Sequence, residues 1–562
     1  MGNSNRAKTL WIKVQRLFSL IMYLFSAGML GFMAYLCFSP DIWYDELFSI
    51  QFALKPIPEM VKLTAADVHP PLYYIIAHFF VKIFGLLSGV FGGASGHGQG
   101  ALDLIQAGNL PVYAAKFASL IPLIILYIYG LTIIRKRYGC LIGGMFSCAM
   151  IAMPQMSEYG VEIRMYSWVM LFVTALCIHA RPFLESNLEK QIKGLKWKNI
   201  LPVFIYGLLA CYTQYYAAVA VAAVYVFLII LSIRKNIWQL GIILISANLT
   251  AVCYFPWIGV VLSQAKTVSG SYWIQPLGLR SIGGIIKYLL KPGFFNEKLA
   301  TFLAVVIFIL LCVLVITNIK DEYMWLCFMP IIGIIVFGFG ASLLLRPVFV
   351  YRYMIPGMGA LWFGVLEGIH ERLKDGSRNS GKTVSYICMG LLGLMTVFCV
   401  RDFWAFRGNE LYKRVNMVET QKVWDAIDEN TVLICNFDQV AALSWYYSNG
   451  MTDVINVDKD QLPAHVYLYG GTTDVVLENM FSGISMIYEP SEVAELVENE
   501  DRVLFLGSFN SREDILKDWK EKAGIDCVNN GSFMNERYWF DVFELSLATG
   551  KNCCTYYCVR EQ

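Results

Sequence analysis

The chain has 562 residues, 57% hydrophobic and 16% charged, with mean hydropathy +0.52. A soluble domain carries about a quarter charged residues, so much of this apolar surface must face lipid rather than fill a water-exposed globule. The net charge of +2 argues against an electrostatic nucleic-acid binder, which needs a basic stripe.

Along the chain, Arg6, Lys8, Lys13 and Arg16 precede an apolar run at 17–38. That run is longer than a signal-peptide core and ends without a small-residue cleavage site. Residues 1–16 therefore read as a cytoplasmic N-terminus and the run as a retained anchor. Just after it comes "WYDELFSI" (43–50), with Asp45 and Glu46 adjacent, and then "DVHPPLYY", with Asp67 and His69. The stretch 71–90 is apolar but holds His78 and Lys82, and reads as an interfacial helix at the outer leaflet. The Gly-rich "GVFGGASGHGQG" (89–100) reads as a loop in which His97 is solvated.

Further apolar runs lie at 111–134, 140–157, 166–181, 200–216, 217–233, 238–262, 299–318, 324–345, 353–370 and 383–401, and about 20 residues suffice to cross a bilayer. If 71–90 lies flat, the basic loops at 135–139, 181–199, 233–236 and 370–382 all fall inside, as positive-inside bias requires. If it spans, all of them move outside. The expected topology is thus about eleven crossings, with the C-terminus outside. Cys148, Cys177, Cys211 and Cys253 sit singly in apolar runs and read as small hydrophobes. Cys553, Cys554 and Cys558 in the tail remain unassigned.

From about residue 402 the pattern changes. "TVLICNF", "DRVLFLGSF" and "RYWFDVFEL" read as strands, and "SREDILKDWKEKAG" as a helix with a Ser cap. The expected fold is an all-α polytopic membrane domain over 17–401, with an outer loop at 39–110, followed by a small α/β extracytoplasmic domain over 402–562. The latter has no Gly-rich phosphate loop or nucleophile elbow, and no catalysis is assigned to it.

On this topology, polar residues gather at one leaflet. Asp45, Glu46, Asp67 and His69 are joined by Glu158, Glu162, Arg164 and Tyr166 of "SEYGVEIRMYSW", Gln214 of "YTQYYA", and Arg346, Arg352 and Tyr353 of "RPVFVYRYMIP". Ionisable groups at membrane depth are costly and usually face a cavity. Carboxylates and arginines at one leaflet point to an anionic, lipid-linked substrate. Taken singly, each has a blander reading: Asp45–Glu46 as a solvated span end, Arg352–Tyr353 as an interfacial anchor. Glu162 and Arg164 are two apart, so they act together only at an irregular span start.

The order of these elements is more specific. An Asp–Glu pair after the first span, then "DVHPP" in the same loop, resembles the protein O-mannosyltransferases. "HPPLYYIIAHFFVKIFG" (69–85), Lys116 in "AAKFASLIP", "EIRMY" (162–166) and "YRYMIP" (351–356) resemble the bacterial relatives of that group, including the aminoarabinose transferases that modify lipid A. The resemblance covers roughly residues 15–370. The chain departs from it at Lys116, where arginine is frequent, at Gln214, where histidine is common, and at His69, where the aminoarabinose branch has lysine.

The resemblance implies a C-type (GT-C) glycosyltransferase of a plasma membrane, as in bacteria, that moves a monosaccharide from a polyprenyl-phosphate donor to a hydroxyl acceptor with inversion. Asp45 is the candidate base, with Glu46 in support. Arg352 and Arg164 are the leading candidates for the leaving phosphate, because the guanidinium fork suits its oxygens. Lys116 and His69 are weaker ones, and Asp67, Tyr166 and Tyr353 complete the candidate substrate site. Glu162 either holds Arg164 or, with Glu158, helps bind a divalent cation, although no cofactor is required by the sequence. The expected partners are the lipid-linked donor, the acceptor and membrane lipid, with no nucleic acid. Three alternatives stay open: a ligase or polymerase acting on a polyprenyl-diphosphate glycan, a wall-binding or sensory membrane protein, which would explain the ectodomain but not the intramembrane carboxylates, and a multispan transporter. A transporter would place its polar groups nearer mid-membrane.

Overall fold

The computed structural model describes residues 2–39, 42–92, 110–184, 197–235, 237–268, 276–293, 296–344, 347–374, 430–448, 464–470, 484–535 and 538–547, with shorter pieces between 383 and 427. His97, Arg346 and the three tail cysteines lie outside them. The chain forms two compact units. One comprises Met1–Pro40, Phe52–Ala94 and Pro111–Gly408; the other comprises Asp41–Gln51, Ser95–Leu110 and Asn409–Gln562.

The first unit is helical. Six helical stretches among the described residues are long and apolar enough to cross a membrane: Lys13–Leu36, Leu110–Ala152, Tyr215–Arg234, Gln239–Lys266, Glu297–Thr317 and Glu322–Leu344. In chain order its helices are α1 (Gly2–Leu36), α2 (Tyr44–Leu54, which begins in the other unit), α3 (Ile57–Ala66), α4 (Leu72–Gly92), α5 (Leu110–Tyr129) and α6 (Arg135–Ala152). Then follow α7 (Met156–Tyr159), α8 (Tyr166–Ala180), α9 (Trp197–Cys211), α10 (Tyr215–Lys235) and α11 (Ile237–Val268). The last are α12 (Leu279–Leu290), α13 (Glu297–Thr317), α14 (Glu322–Leu344) and α15 (Ile355–Lys374).

The long stretch Leu110–Ala152 breaks at Gly139, whose φ of 88° is open to glycine but strained for other residues. The chain folds back there, and Ser147 reaches the Tyr127 carbonyl at 3.4 Å. Helix α15 packs against α14 and α8. At Gly357 an added Cβ would fall 2.8 Å from the Ile331 backbone nitrogen, so only glycine lets α15 approach α14 this closely. The end of α8 is tied to α15 by a buried ion pair, Arg181 Nη1 to Glu367 Oε1 at 2.7 Å, with the guanidinium 4.3 Å from the Tyr323 ring centroid. Helix α4 buries Tyr73, Tyr74, Ala77 and His78 and exposes Phe79, Ile83, Leu86 and Leu87, so it presents an apolar face outward as well as inward.

Short helices α2 and α3 in the 39–110 loop, and amphipathic α12 between α11 and α13, were not separable from loop by hydropathy alone. They are too short to give an apolar run of spanning length.

The second unit carries a six-stranded sheet of order β3-β2-β1-β4-β6-β5. The strands are β1 (Thr431–Cys435), β2 (Ala464–Tyr469), β3 (Ile484–Ile487), β4 (Arg502–Gly507), β5 (Ile525–Asn535) and β6 (Tyr538–Leu547). Strands β1 to β4 pair in parallel, and β6 is antiparallel to both β4 and β5. The helices are α16 (Asp438–Ser448), α17 (Pro490–Asn499) and α18 (Ser511–Ala523). Trp519 of α18 is fully buried on Phe505, with ring centroids 4.8 Å apart. The three strands and the helix read from sequence are all present. The Ser cap is not: α18 is preceded by Asn510, and Ser511 Oγ accepts from Asn436 Nδ2 instead. The helix stops at Gly524, whose φ of 65° allows its N–H to turn back to the Lys520 carbonyl.

Candidate functional site

In the helical unit, the "DVHPP" turn is fixed from several sides. Asp67 follows α3 directly and its N–H donates to the Leu63 carbonyl at 3.1 Å. The last carbonyls of α3 have no partner within the helix. Gln264 of α11 supplies one, its Nε2 donating to Thr64 O at 2.9 Å and Ala65 O at 3.1 Å. Tyr215 donates its hydroxyl hydrogen to Gln264 Oε1 and accepts from Trp257 Nε1 at 3.1 Å. On the far side of the turn, the N–H of Leu72 donates to the Tyr212 carbonyl at 3.1 Å.

The turn so held presents Asp67 and His69. His69 Nδ1 lies 3.2 Å from Asp67 Oδ2, and His69 Nε2 lies 3.5 Å from Arg164 Nη2. A carboxylate accepts and a guanidinium donates, so the two neighbours suit the tautomer with its hydrogen on Nδ1 and its Nε2 turned to Arg164. Asp67, His69 and Arg164 thus form one chain of polar contacts.

Glu162 and Arg164 stand in the non-helical turn between α7 and α8, where the Arg164 N–H donates to the Glu162 carbonyl at 2.6 Å. This is an irregular helix entry, the kind of backbone that two residues at this spacing need to act together. Both side chains are about 5% exposed, so their charges are withdrawn from solvent. Tyr166, at the first position of α8, lies within electrostatic reach of Arg352, Arg164, Glu162 and Tyr353. It is 1% exposed and packs edge-on against Tyr159 at 4.9 Å. Burial first, then the charges of Glu162 and Glu158, push the Tyr159 hydroxyl up from its ordinary range, so it stays a neutral donor.

Arg352 and Tyr353 lie in the single turn Tyr351–Met354 before α15. The Tyr353 ring stacks on Tyr216 at 4.7 Å, and the Tyr216 hydroxyl donates to the Val348 carbonyl at 2.7 Å. Gln214 stands two residues before Tyr216 and one before Tyr215. It is 3% exposed, and both polar atoms of its amide are buried without a hydrogen-bond partner among the described residues. Such a group costs about 1–3 kcal/mol when left unpaired.

Lys116 is also buried, and its Nζ donates to the Ser39 carbonyl at 2.9 Å, at the carboxyl end of α1, where a cation is favoured. Glu158 and Glu162 sit one helical turn apart. Among the described residues no three His, Cys, Asp or Glu side chains gather as metal ligands.

Asp45 and Glu46 belong to the second unit, in the first turn of α2. Glu46 Oε2 accepts from the Trp43 N–H at 3.2 Å, closing half of a capping box on its own helix. Ser49 Oγ donates to the Asp45 carbonyl at 2.7 Å. Two residues before Tyr44, both backbone polar groups of buried Ile42 meet one hydroxyl, that of Tyr447 in α16. The segment that bears Asp45 is therefore bonded to the sheet domain, to which sequence motifs gave no role.

Gln264, Tyr215, Trp257 and Tyr447 are the positioning residues that the motifs missed. Gln264 had little signal, standing two residues past the apolar run at 238–262. Tyr447 had none, since its contact joins residues 405 apart.

No family model matches the sequence, and no curated protein matches it. Among solved structures, the chain is similar to the crystal structure of ArnT from Cupriavidus metallidurans bound to undecaprenyl phosphate. The TM-score is 0.52 at 11% identity, over 97% of this chain and 100% of that one. The resemblance to C-type glycosyltransferases, carried in the sequence by motif order, thus extends to the fold of both units.

Proposed function

We propose that this protein is a multi-pass membrane glycosyltransferase of the C type that moves a monosaccharide from a polyprenyl-phosphate carrier to a hydroxyl acceptor on the outer face of the membrane. The observation that carries the reading is that Arg164 and Arg352 both lie within electrostatic reach of buried Tyr166, with the Asp67–His69 pair beside Arg164, at the start of α8. A buried guanidinium, that of Arg164, and a partly buried one, that of Arg352, suit the oxygens of a lipid phosphate. The fold of ArnT, solved with undecaprenyl phosphate bound, supports the same donor class.

In this reading the acceptor oxygen attacks the anomeric carbon as the bond from that carbon to the phosphate oxygen breaks, inverting the centre. The hydroxyl proton passes to Asp45, and the electron pair of the broken bond leaves on the polyprenyl phosphate. The developing phosphate charge is met by Arg352 and Arg164. His69, with Nδ1–H turned to Asp67, keeps Nε2 toward Arg164 and so holds that guanidinium in place. Glu46, which caps α2, orients Asp45 rather than taking the proton itself. The unpaired amide of Gln214 is a contact for the polar part of the donor.

The test is a donor screen with purified protein in liposomes and a set of polyprenyl-phosphate monosaccharides. The proposal expects sugar transfer from at least one, with the opposite anomer in the product. Turnover restricted to a diphosphate-linked glycan would replace it with the ligase reading.

A further inference from the structure

The order β3-β2-β1-β4-β6-β5 reverses direction between β1 and β4: the chain steps outward to β2 and β3, then returns to the other side of β1. In open α/β sheets, ligands settle beyond the carboxyl ends of the strands that flank such a reversal. Here those ends run into "NFD" (436–438) after β1 and "SFNSR" (508–512) after β4. The β4–β6 register ends at Gly507↔Asp541, and Ser508 Oγ then donates to the Trp539 carbonyl at 3.4 Å, which sets the start of β6 beside the end of β4.

Two large rings are solvent-exposed at this edge, Phe509 at 59% and Trp539 at 50%. Both are held rather than loose. Arg512 is mostly buried. Its Nη1 donates to the Phe509 carbonyl at 2.6 Å, its Nε to Asp541 Oδ2 at 2.7 Å, and its guanidinium lies 5.4 Å from the Trp539 ring centroid. Phe437 abuts Phe509 edge-on at 4.9 Å. Asn436 bridges the two strand ends, its Nδ2 donating to Ser508 O at 2.9 Å while its Oδ1 accepts from the Ser508 N–H at 2.8 Å.

We infer that this edge of the sheet domain binds a length of neutral glycan. The apolar faces of pyranose rings lie flat against aromatic rings, and their equatorial hydroxyls need hydrogen-bonding groups beside those rings. Phe509 and Trp539 supply the first, and the Ser511 hydroxyl, which accepts from Asn436 and keeps its own hydrogen to donate, supplies the second. The Arg512 charge is matched by Asp541, which disfavours a phosphate or a lipid headgroup as the occupant. A protein interface would call for a broader apolar patch, of several hundred Å². Helix α16 leads from this edge toward Tyr447 and Ile42, and its 11 residues make it about 16 Å long. The face is therefore an accessory site for an extended chain, apart from the turn that bears Asp45.

The test reads binding alone, without donor, so its outcome is separate from that of the transferase proposal. Saturation-transfer NMR with the full-length protein in nanodiscs uses cellohexaose, chitohexaose and mannohexaose as probes. At least one is expected to take up saturation on its ring protons. Trp539→Ala and Phe509→Ala each weaken binding tenfold or more, whereas Trp539→Phe retains it. Should Trp539→Ala fail to fold, Phe509→Ala carries the same comparison. No saturation of any probe at millimolar concentration overturns the inference, as does unchanged affinity in the alanine variants. So does a lower oligomeric mass in those variants with no glycan binding, which would make the face a protein contact.

Discussion

The hydroxyl of Tyr447 accepts from the Ile42 N–H at 3.3 Å and donates to the Ile42 carbonyl at 3.1 Å. One side chain of the sheet domain thus fixes the backbone leading into the turn that carries Asp45. Tyr447→Phe removes that hydroxyl and keeps the ring. Two hydrogen bonds of about 1 kcal/mol each are lost, so Tm should fall by a few degrees and kcat per folded molecule should also fall, roughly 5- to 30-fold, with donor KM little changed. A purely structural role would lower Tm and leave kcat per folded molecule alone.

Asp45→Asn keeps the shape of the side chain and abolishes its basicity. The expected loss in kcat is about 10²–10⁴-fold, while the affinity for the lipid donor is retained. Transfer at the wild-type rate by folded Asp45→Asn protein would remove Asp45 from the chemistry.

His69 lies between Asp67 and Arg164, so its removal frees Arg164 from one neighbour. A hydrogen bond to a charged group is worth about 1.5–3 kcal/mol. His69→Ala should therefore lower kcat/KM by roughly 10- to 100-fold, measured with a fixed polyprenyl-phosphate donor. His69→Gln, which keeps a donor and an acceptor, should recover part of it.

Gln214 presents the opposite case, a buried amide with neither atom paired. Replacing it by leucine removes the desolvated polar atoms and keeps the bulk. The resting protein should gain about 1–3 kcal/mol, seen as a higher Tm, and donor KM should rise. A lower Tm with unchanged KM would mean that the amide serves the fold and not the donor.

The sheet domain carries its own acid sensitivity. Glu492 accepts from the N–H groups of Glu489 and Tyr488, each at 2.7 Å, and these bonds hold its carboxyl below the usual glutamate range. A lowered folded-state value means stabilisation that is present above the unfolded glutamate range and lost as pH falls through the folded value. Hydrogen exchange in α17 should be slower in wild type than in Glu492→Gln at neutral pH, and the difference should close in acid. An equal difference at both pH values would contradict this.

Much of the fold was legible because lipid and water impose distinct patterns. The apolar runs at 217–233, 238–262, 299–318 and 324–345 correspond to α10, α11, α13 and α14. Short buried strands such as "TVLIC" stood out by β-branched residues between polar flanks. The contacts within the site were less legible. "DVHPP" and "EIRMY" named Asp67, His69 and Arg164, but only tertiary packing brings His69 to Arg164, 95 residues away. Gln264 and Tyr447 act through backbone carbonyls, which have no sequence signature, so their roles could not be read from residue type.

The most direct measurement is of the lipid that remains after turnover. Mass analysis of a reaction with a defined polyprenyl-phosphate monosaccharide and its acceptor should find one polyprenyl monophosphate released for each sugar transferred. Release of a polyprenyl diphosphate from a glycan-linked donor, or movement of the intact donor across the bilayer with no lipid phosphate freed, would contradict the account.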